Sequence, residues 1–190
     1  MKKVTAVVVA ALLVAFITGC STTQKTVGGG LTSAVAQNVV RIACVESLRD
    51  VDLTAASGKA VEIKLTGFSD DKNSGILEHL FKTKAEEAGA RIVPEGKGDV
   101  QLEVATMNAG NDAGQSSFPI ISHSERVEGA VDVQMTIRKL DDGAVLTTQP
   151  LSGKAKYEQT TVIGIQGRGQ YYVKNKDGKF VKVADPSSYR

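Results

Sequence analysis

The sequence predicts a two-layer α+β domain, in which helices cover one face of a mixed or antiparallel sheet. Two observations carry this prediction. In two segments, 31–49 and 74–88, apolar residues recur about every 3.5 positions, which is the spacing of one helix face. In several others apolar and polar residues alternate, most clearly from Val127 to Ile137, as in a strand with one buried face.

The two predicted helices have recognisable ends. Thr32 or Ser33 can cap the start of the first helix, which is expected to run from Leu31 to about Arg49. The second helix follows a polar stretch, 70–74, and stops at Gly89, since a glycine with a left-handed backbone ends many helices.

The predicted strands follow in chain order, and two hairpin turns join the later ones. The turns are expected at 141–143 (Asp-Asp-Gly) and at 175–178 (Asn-Lys-Asp-Gly). One face of the sheet would carry carboxylates, amides and cations, so we expect that face to be solvated or to dock a partner. The expected strands cover residues 60–67, 91–93, 99–107, 127–138, 144–162, 171–173 and 180–183.

The N-terminal residues predict export and a lipid anchor. Two lysines precede an apolar run that is too short to span a bilayer, so residues 1–19 are predicted to be a signal peptide. The end of the run, Ile17-Thr18-Gly19-Cys20, resembles the lipobox of bacterial lipoproteins. This resemblance implies cleavage before Cys20, a diacylglycerol on its sulfur and an acyl group on its amine. The alternative is an ordinary secreted protein with a cysteine near the cleavage point by chance.

The anchor and the residues after it predict a location. Several acyl chains hold a protein firmly on a membrane, whereas a single chain binds reversibly. Ser21 stands where an aspartate would, by resemblance to enteric lipoproteins, favour retention in the inner membrane. We therefore expect the periplasmic side of the outer membrane. Residues 20–30 are predicted to be a lipidated polar tether, and residues 31–190 a single periplasmic domain.

Composition argues against nucleic acid as a partner. Once residues 1–19 are removed, 21 basic and 21 acidic residues remain, and no basic cluster with interleaved aromatic residues is present. With Cys20 lipidated, Cys44 has no partner for a disulfide within the chain. Because Cys44 lies in an apolar helical stretch, we expect a buried thiol; a reactive thiol is the alternative.

The sequence contains few groups that could carry catalysis. His79 lies in a predicted helix and is expected to be solvated. His123 stands between Ser122 and Ser124, but adjacent side chains in an extended segment point to opposite sides. The chain has no metal-ligand spacing, and its glycine clusters, 28–30 and 164–169, do not match a phosphate loop. We predict no enzyme activity, no cofactor and no metal site.

Two segments without clear periodicity are predicted to be loops. The first, 108–124, is long and places apolar residues in a polar setting; the second, 163–172, combines glycines with two tyrosines. Exposed apolar and tyrosine side chains are typical of protein interfaces. The alternative is that both loops fold back over the core. The candidate interaction residues are Phe118, Ile120, Ile121, Tyr171 and Tyr172.

The order of the predicted elements between residues 60 and 162, behind a lipobox and a short tether, resembles a small periplasmic α/β domain of envelope lipoproteins. That group includes the curli-export lipoprotein CsgG, the polysaccharide-export lipoprotein PelC, the surface-exclusion lipoprotein TraT and the synthase activator LpoB. The resemblance implies a non-enzymatic envelope assembly or export accessory that works by protein docking or self-association. A periplasmic binder of a small amphiphile or glycan is the alternative, and an enzyme is a third class.

Replacement of Cys20 tests the anchor. Cys20→Ser removes the sulfur that would carry the diacylglycerol, so we expect the variant to incorporate no radiolabelled palmitate and to be either uncleaved or released. The wild-type protein, labelled in parallel, is the control. Acyl label on the serine variant would contradict the lipoprotein interpretation.

Overall fold

A computed structural model of the chain describes residues 22–27, 34–67, 71–118, 122–163 and 165–189. Residues 1–21, which include Cys20, lie outside the described residues. The same is true of 119–121, which include Ile120 and Ile121. The signal peptide, the lipid attachment and these two candidate interaction residues therefore stay predictions.

Both predicted helices are confirmed. Helix α1 spans Ala34–Ser47 and helix α2 spans Asp71–Glu87, each within a few residues of the expected ends. In α1 the predicted apolar residues Val39 and Ile42 are fully inaccessible to solvent, whereas Val35 and Val45 are partly buried. In α2, Leu77, Phe81 and Ala85 are fully buried. Two short 3-10 turns, Thr54–Ala56 and Pro186–Tyr189, complete the helical structure of the described residues.

The strands form one mixed sheet. They are β1 (Thr22–Val27), β2 (Ala60–Thr66), β3 (Arg91–Ile92), β4 (Val100–Phe118), β5 (Ser122–Lys139), β6 (Val145–Val162), β7 (Ile165–Gln166), β8 (Gln170–Lys174) and β9 (Phe180–Lys182). The main path of the sheet runs in the order β3-β2-β4-β5-β6-β8-β9, while β1 pairs with β4 and β7 pairs with β6 outside that path. Strand β2 is parallel to both β3 and β4, and the remaining pairs are antiparallel.

The fold contains more sheet than the sequence predicts. Among the described residues, those in strands outnumber those in helices by more than two to one, so a mixed sheet with two helices describes the structure better than two balanced layers. The excess comes from β4, β5 and β6, which have 19, 18 and 18 residues. Strands in globular proteins more commonly have about five or six residues.

The expected loop at 108–124 is wrong, because most of it is strand. Residues as far as Phe118 belong to β4, and β5 begins at Ser122. The two strands stay in antiparallel register to their ends, where Phe118 pairs with Ser122. Alternation of apolar residues reports burial of one face, whereas backbone hydrogen bonds form irrespective of side-chain polarity. This segment is paired but carries no apolar alternation, so its strand character was missed.

Part of the expected tether is also strand. Residues Thr22–Val27 form β1, which pairs antiparallel with β4 from Ser117 to Asp112. Threonine and valine favour extended backbone, and the unpaired edge of β4 supplies hydrogen-bond partners. The first described residues after Cys20 are therefore hydrogen-bonded to the edge of the sheet and do not form a flexible tether.

One hydrophobic core contains residues of both helices and alternating residues of the strands. Helix α1 packs on β5 and β6 so closely that two glycines are required beneath it. A β-carbon on Gly129 would come within 2.8 Å of Val39 Cγ1, and one on Gly153 would clash with the carbonyl oxygen of Ala43 and lie 2.6 Å from Ser47 N. Cys44 is fully buried in this packing, as expected, and burial raises the pKa of its thiol to about 12.

A methyl group at position 153 tests this contact. Gly153→Ala would force the backbone of α1 away from β6, and overpacking of this kind typically costs about 1–3 kcal/mol or more. We expect the free energy of unfolding, measured by urea denaturation, to fall by at least that amount. Gly110→Ala is the matched control, since nothing lies within 4 Å of a β-carbon built there. Equal stability of the two variants would contradict the close packing of α1.

Candidate functional site

The hydrophobic core ends part of the way along the longest strands. The last core-facing positions form one row across the sheet, Ala113, Val127 and Tyr157, which are paired with one another. Beyond that row, none of the described side chains in 122–126 or 158–162 is buried. We call residues 114–118, 122–126 and 158–162 the distal arm. Five residues in a strand extend about 17 Å.

Strand β1 adds a fourth strand to the distal arm. Thr22 pairs with Ser117 near the tip, and Val27 pairs with Asp112 near the core. The chain therefore enters the sheet at the tip of the arm and runs toward the core. By covalent geometry, Cys20 can lie no more than about 7 Å from Thr22, because only two residue steps separate them.

The distal arm carries an apolar turn at its tip. Val162 and Ile165 pair across a short connection between β6 and β7, and Ile163 stands within it. These three side chains are exposed by 47%, 76% and 75%, respectively. We call Val162, Ile163 and Ile165 the apolar turn.

A charged cluster lies on the sheet face opposite the core, at the base of the arm. Arg126 and Glu128 form an ion pair, and Arg126 Nε lies 4.0 Å from Glu158 Oε1. Glu158 also accepts a hydrogen bond from Lys156 Nζ at 2.8 Å. Arg126, Glu128 and Glu158 remain 38–53% exposed, so solvent screens their attraction and each pair stabilises the fold only weakly.

Two aromatic rings extend this cluster. The ammonium of Lys156 lies 4.8 Å from the ring centre of Tyr172 and 4.7 Å from that of Phe180. Contacts of a cation with aromatic faces at this distance are favourable. The Tyr172 hydroxyl donates a hydrogen bond to Gln170 Oε1 at 2.9 Å. We call the six residues of this surface the cation–aromatic face: Arg126, Glu128, Lys156, Glu158, Tyr172 and Phe180.

The structure separates the two candidate tyrosines. Both lie in β8 rather than in a loop, and adjacent residues of a strand point to opposite faces. Tyr171 packs toward the core, with its ring centre 5.0 Å from that of Tyr157, whereas Tyr172 belongs to the cation–aromatic face. Phe118 ends β4 at the tip of the distal arm.

Sequence reasoning missed Arg126, Lys156 and Phe180 as members of a common surface. They come from β5, β6 and β9, and they meet because Arg126 pairs with Glu158, Lys156 with Tyr172 and Lys174 with Phe180. Each residue lies on the side of its own strand that faces away from the core. Only the register between the strands brings the three residues together.

The groups considered for catalysis remain apart. His79 is exposed on α2, and His123 is exposed on β5 opposite Ser117. The buried carboxylate of Glu62 accepts backbone hydrogen bonds from Lys97 and Gly98, both at 2.8 Å, which gives it a structural role. Within the described residues, no group of three or more histidine, cysteine or acidic side chains could hold a metal ion.

A surface groove of about 520 Å³ lies beside the C-terminal end of α1, away from the distal arm. Arg49, Tyr189 and the hairpin of β8 and β9 line it, and the Tyr189 hydroxyl donates a hydrogen bond to Glu46 at 2.7 Å. Burial raises the pKa of Tyr189 to about 12, and the hydrogen bond to Glu46 contributes to the shift. The volume of the groove falls within the range of small-ligand sites. If the protein instead binds a small amphiphile or glycan, this groove is the site that it would use.

Comparison with known proteins adds no identification, since neither a protein-family model nor a curated protein matches this sequence. In the part of the chain that the structure describes, no helix combines the length and apolar character of a membrane span.

Proposed function

We propose that this chain is a lipid-anchored lipoprotein on the periplasmic side of the outer membrane. In this proposal it acts without catalysis, as an envelope assembly or export accessory that docks a protein partner or a second copy of itself. The signal peptide and the lipobox at Cys20 support the anchor.

The single observation that carries the proposal is the distal arm. A sheet segment becomes stable by burying at least one face, and residues 122–126 and 158–162 have no buried side chain on either face. The proposal includes a two-layer arrangement, in which both helices lie on one face of the sheet. This arrangement is supported by the single hydrophobic core, which contains residues of both helices. The helices then leave the opposite face, and the arm beyond them, available for contact.

The cation–aromatic face is the docking surface in this proposal. Arginine, tyrosine and phenylalanine are enriched in the centres of protein interfaces, and the side chain of Lys156 is already ordered against two rings with only 14% exposure. An ordered surface loses little conformational entropy when a partner binds. Tyr172 thus remains a candidate interaction residue, and Arg126 and Phe180 join it.

Charge reversal at one arginine tests the docking surface. We expect Arg126→Glu to weaken self-association, or partner capture by in-cell cross-linking, by about tenfold or more, because an arginine at an interface centre often contributes about 2 kcal/mol. Light scattering of the detergent-purified protein measures self-association. Thermal unfolding should change little, since Arg126 is exposed and its ion pairs are weak.

Arg138→Glu is the matched control. Arg138 occupies the same face of β5 near its other end and forms a comparable ion pair with Glu103, at 2.9 Å. Its reversal should leave association unchanged. Equal loss in both variants, or a wild-type protein that is monomeric and cross-links to nothing, would contradict the docking proposal.

A further inference from the structure

The apolar turn is exposed in water at a site that offers no neighbour to cover it within the described residues. Val162 ends β6, Ile165 begins β7 and Ile163 lies between them in the connection, and each is exposed by 47% or more. Scattered exposed apolar residues are ordinary, whereas three at one projecting tip form a contact surface.

The backbone conformation at position 163 makes isoleucine an unfavourable choice for the stability of the turn. Among the described residues other than glycine, Ile163 is the one with a positive φ, 49°. β-branched residues are strained in this conformation, and turns that require it favour asparagine or glycine. An asparagine here would relieve the strain and remove the exposed apolar side chain, so isoleucine is unfavourable in the isolated protein on both counts.

The sheet register places the apolar turn beside the point where the chain leaves for its anchor. One row of paired residues crosses the sheet through Thr22, Ser117, His123 and Thr161. Three strand spacings separate Thr22 from Thr161, which is about 14 Å. Cys20 precedes Thr22 by two residues, and Val162 follows Thr161 directly. The anchor and the apolar turn therefore share one end of the molecule.

The sequence around this end contains almost no charge. No acidic residue occurs between Glu158 and Asp177, and no aspartate, glutamate, lysine or arginine occurs between Asp112 and Glu125. Arg168, which is exposed after β7, is a cation of the kind that lies at lipid headgroups beside inserted apolar residues. Carboxylates would oppose entry into the headgroup region, and they are absent from both stretches of sequence.

We propose that the apolar turn is a membrane-contact site, in which Val162, Ile163 and Ile165 enter the headgroup and upper acyl region of the leaflet that holds Cys20. This inference rests on the proposed function for the acyl anchor. Anchor and turn would then attach the molecule at two points, which fixes the direction of the distal arm relative to the bilayer. Residues 119–121 lie outside the described residues and form no part of the proposed contact.

A lipid surface fits this position better than a second protein copy. Thr22 lies about 14 Å from Thr161, and Cys20 is only two residues from Thr22, so acyl chains on Cys20 would hold the bilayer close to the apolar turn. A second protein copy would be expected to bind the ion pairs and aromatic rings of the cation–aromatic face. That face lies at the base of the arm, away from the apolar turn.

Fluorescence quenching of the full lipidated protein tests the contact. An environment-sensitive NBD label is placed on Ile165→Cys, or on Val145→Cys as the control, in the protein reconstituted into phosphatidylethanolamine–phosphatidylglycerol vesicles. Val145 is also an exposed apolar residue, 57%, but it begins β6 at the opposite end of the sheet. Cys44 is fully buried and should stay unlabelled. Lipids with a nitroxide on the acyl chain should quench the label at 165 severalfold more than the label at 145.

Ile163→Asn separates membrane contact from stability. Asparagine tolerates a positive φ, so the variant should melt at the same temperature as the wild type or higher, while quenching at position 165 falls. A merely structural role of Ile163 predicts the reverse, a lower melting temperature with unchanged quenching.

Two results would overturn the membrane contact. One is equal quenching of the labels at positions 165 and 145. The other is a label at 165 whose emission is blue-shifted but not quenched by nitroxide lipids, which would indicate that protein, and not lipid, covers the apolar turn. Mass spectrometry of the same samples reports acylation of Cys20 separately. An acylated protein with an unquenched label contradicts the membrane contact alone, whereas an unacylated protein contradicts the anchor and, with it, both proposals.

Discussion

A short helix packed on long strands is the constraint on which the rest of the structure depends. Helix α1 has 14 residues and is about 21 Å long. Strand β5 has 18 residues and is about 60 Å long. Close contact at Gly129 and Gly153 fixes α1 over the middle of β5 and β6, while α2 packs on β2 and β3. The strands continue past both helices, where backbone hydrogen bonds still pair them although no described side chain in 122–126 or 158–162 is buried.

This difference in length gives the molecule two ends with different chemistry. Toward α1, alternating valines, Met135 and Ile137 are buried, and charged residues face solvent on the other side. Toward the tip, burial stops, acidic residues become rare in the sequence and apolar side chains become exposed. The ion pairs of Arg126 and the rings around Lys156 lie where these two regions meet. The proposed docking at that boundary and the proposed lipid contact at the tip are therefore sterically compatible.

How much could be predicted from the sequence depends on what each pattern measures. Periodicity identified α1, α2 and the buried parts of β2 and β5, because it reports burial. It failed for residues 108–118 and for β1, where backbone pairing continues without burial. The candidate site was only partly predictable. Tyr172 was recognised by composition, but its contact with Lys156 depends on the register between β6 and β8, which no local pattern encodes.

The continuity of β6 past the core tests the account most directly. Spin labels on Thr148→Cys and Thr160→Cys, both exposed and on one face of β6, measure the length of that strand by pulsed electron paramagnetic resonance. An unbroken strand predicts a narrow distribution near about 40 Å, since each residue advances by about 3.3 Å. A broad distribution, or a distance shortened to about 30 Å or less, would show that the arm folds back toward the core and would contradict the account.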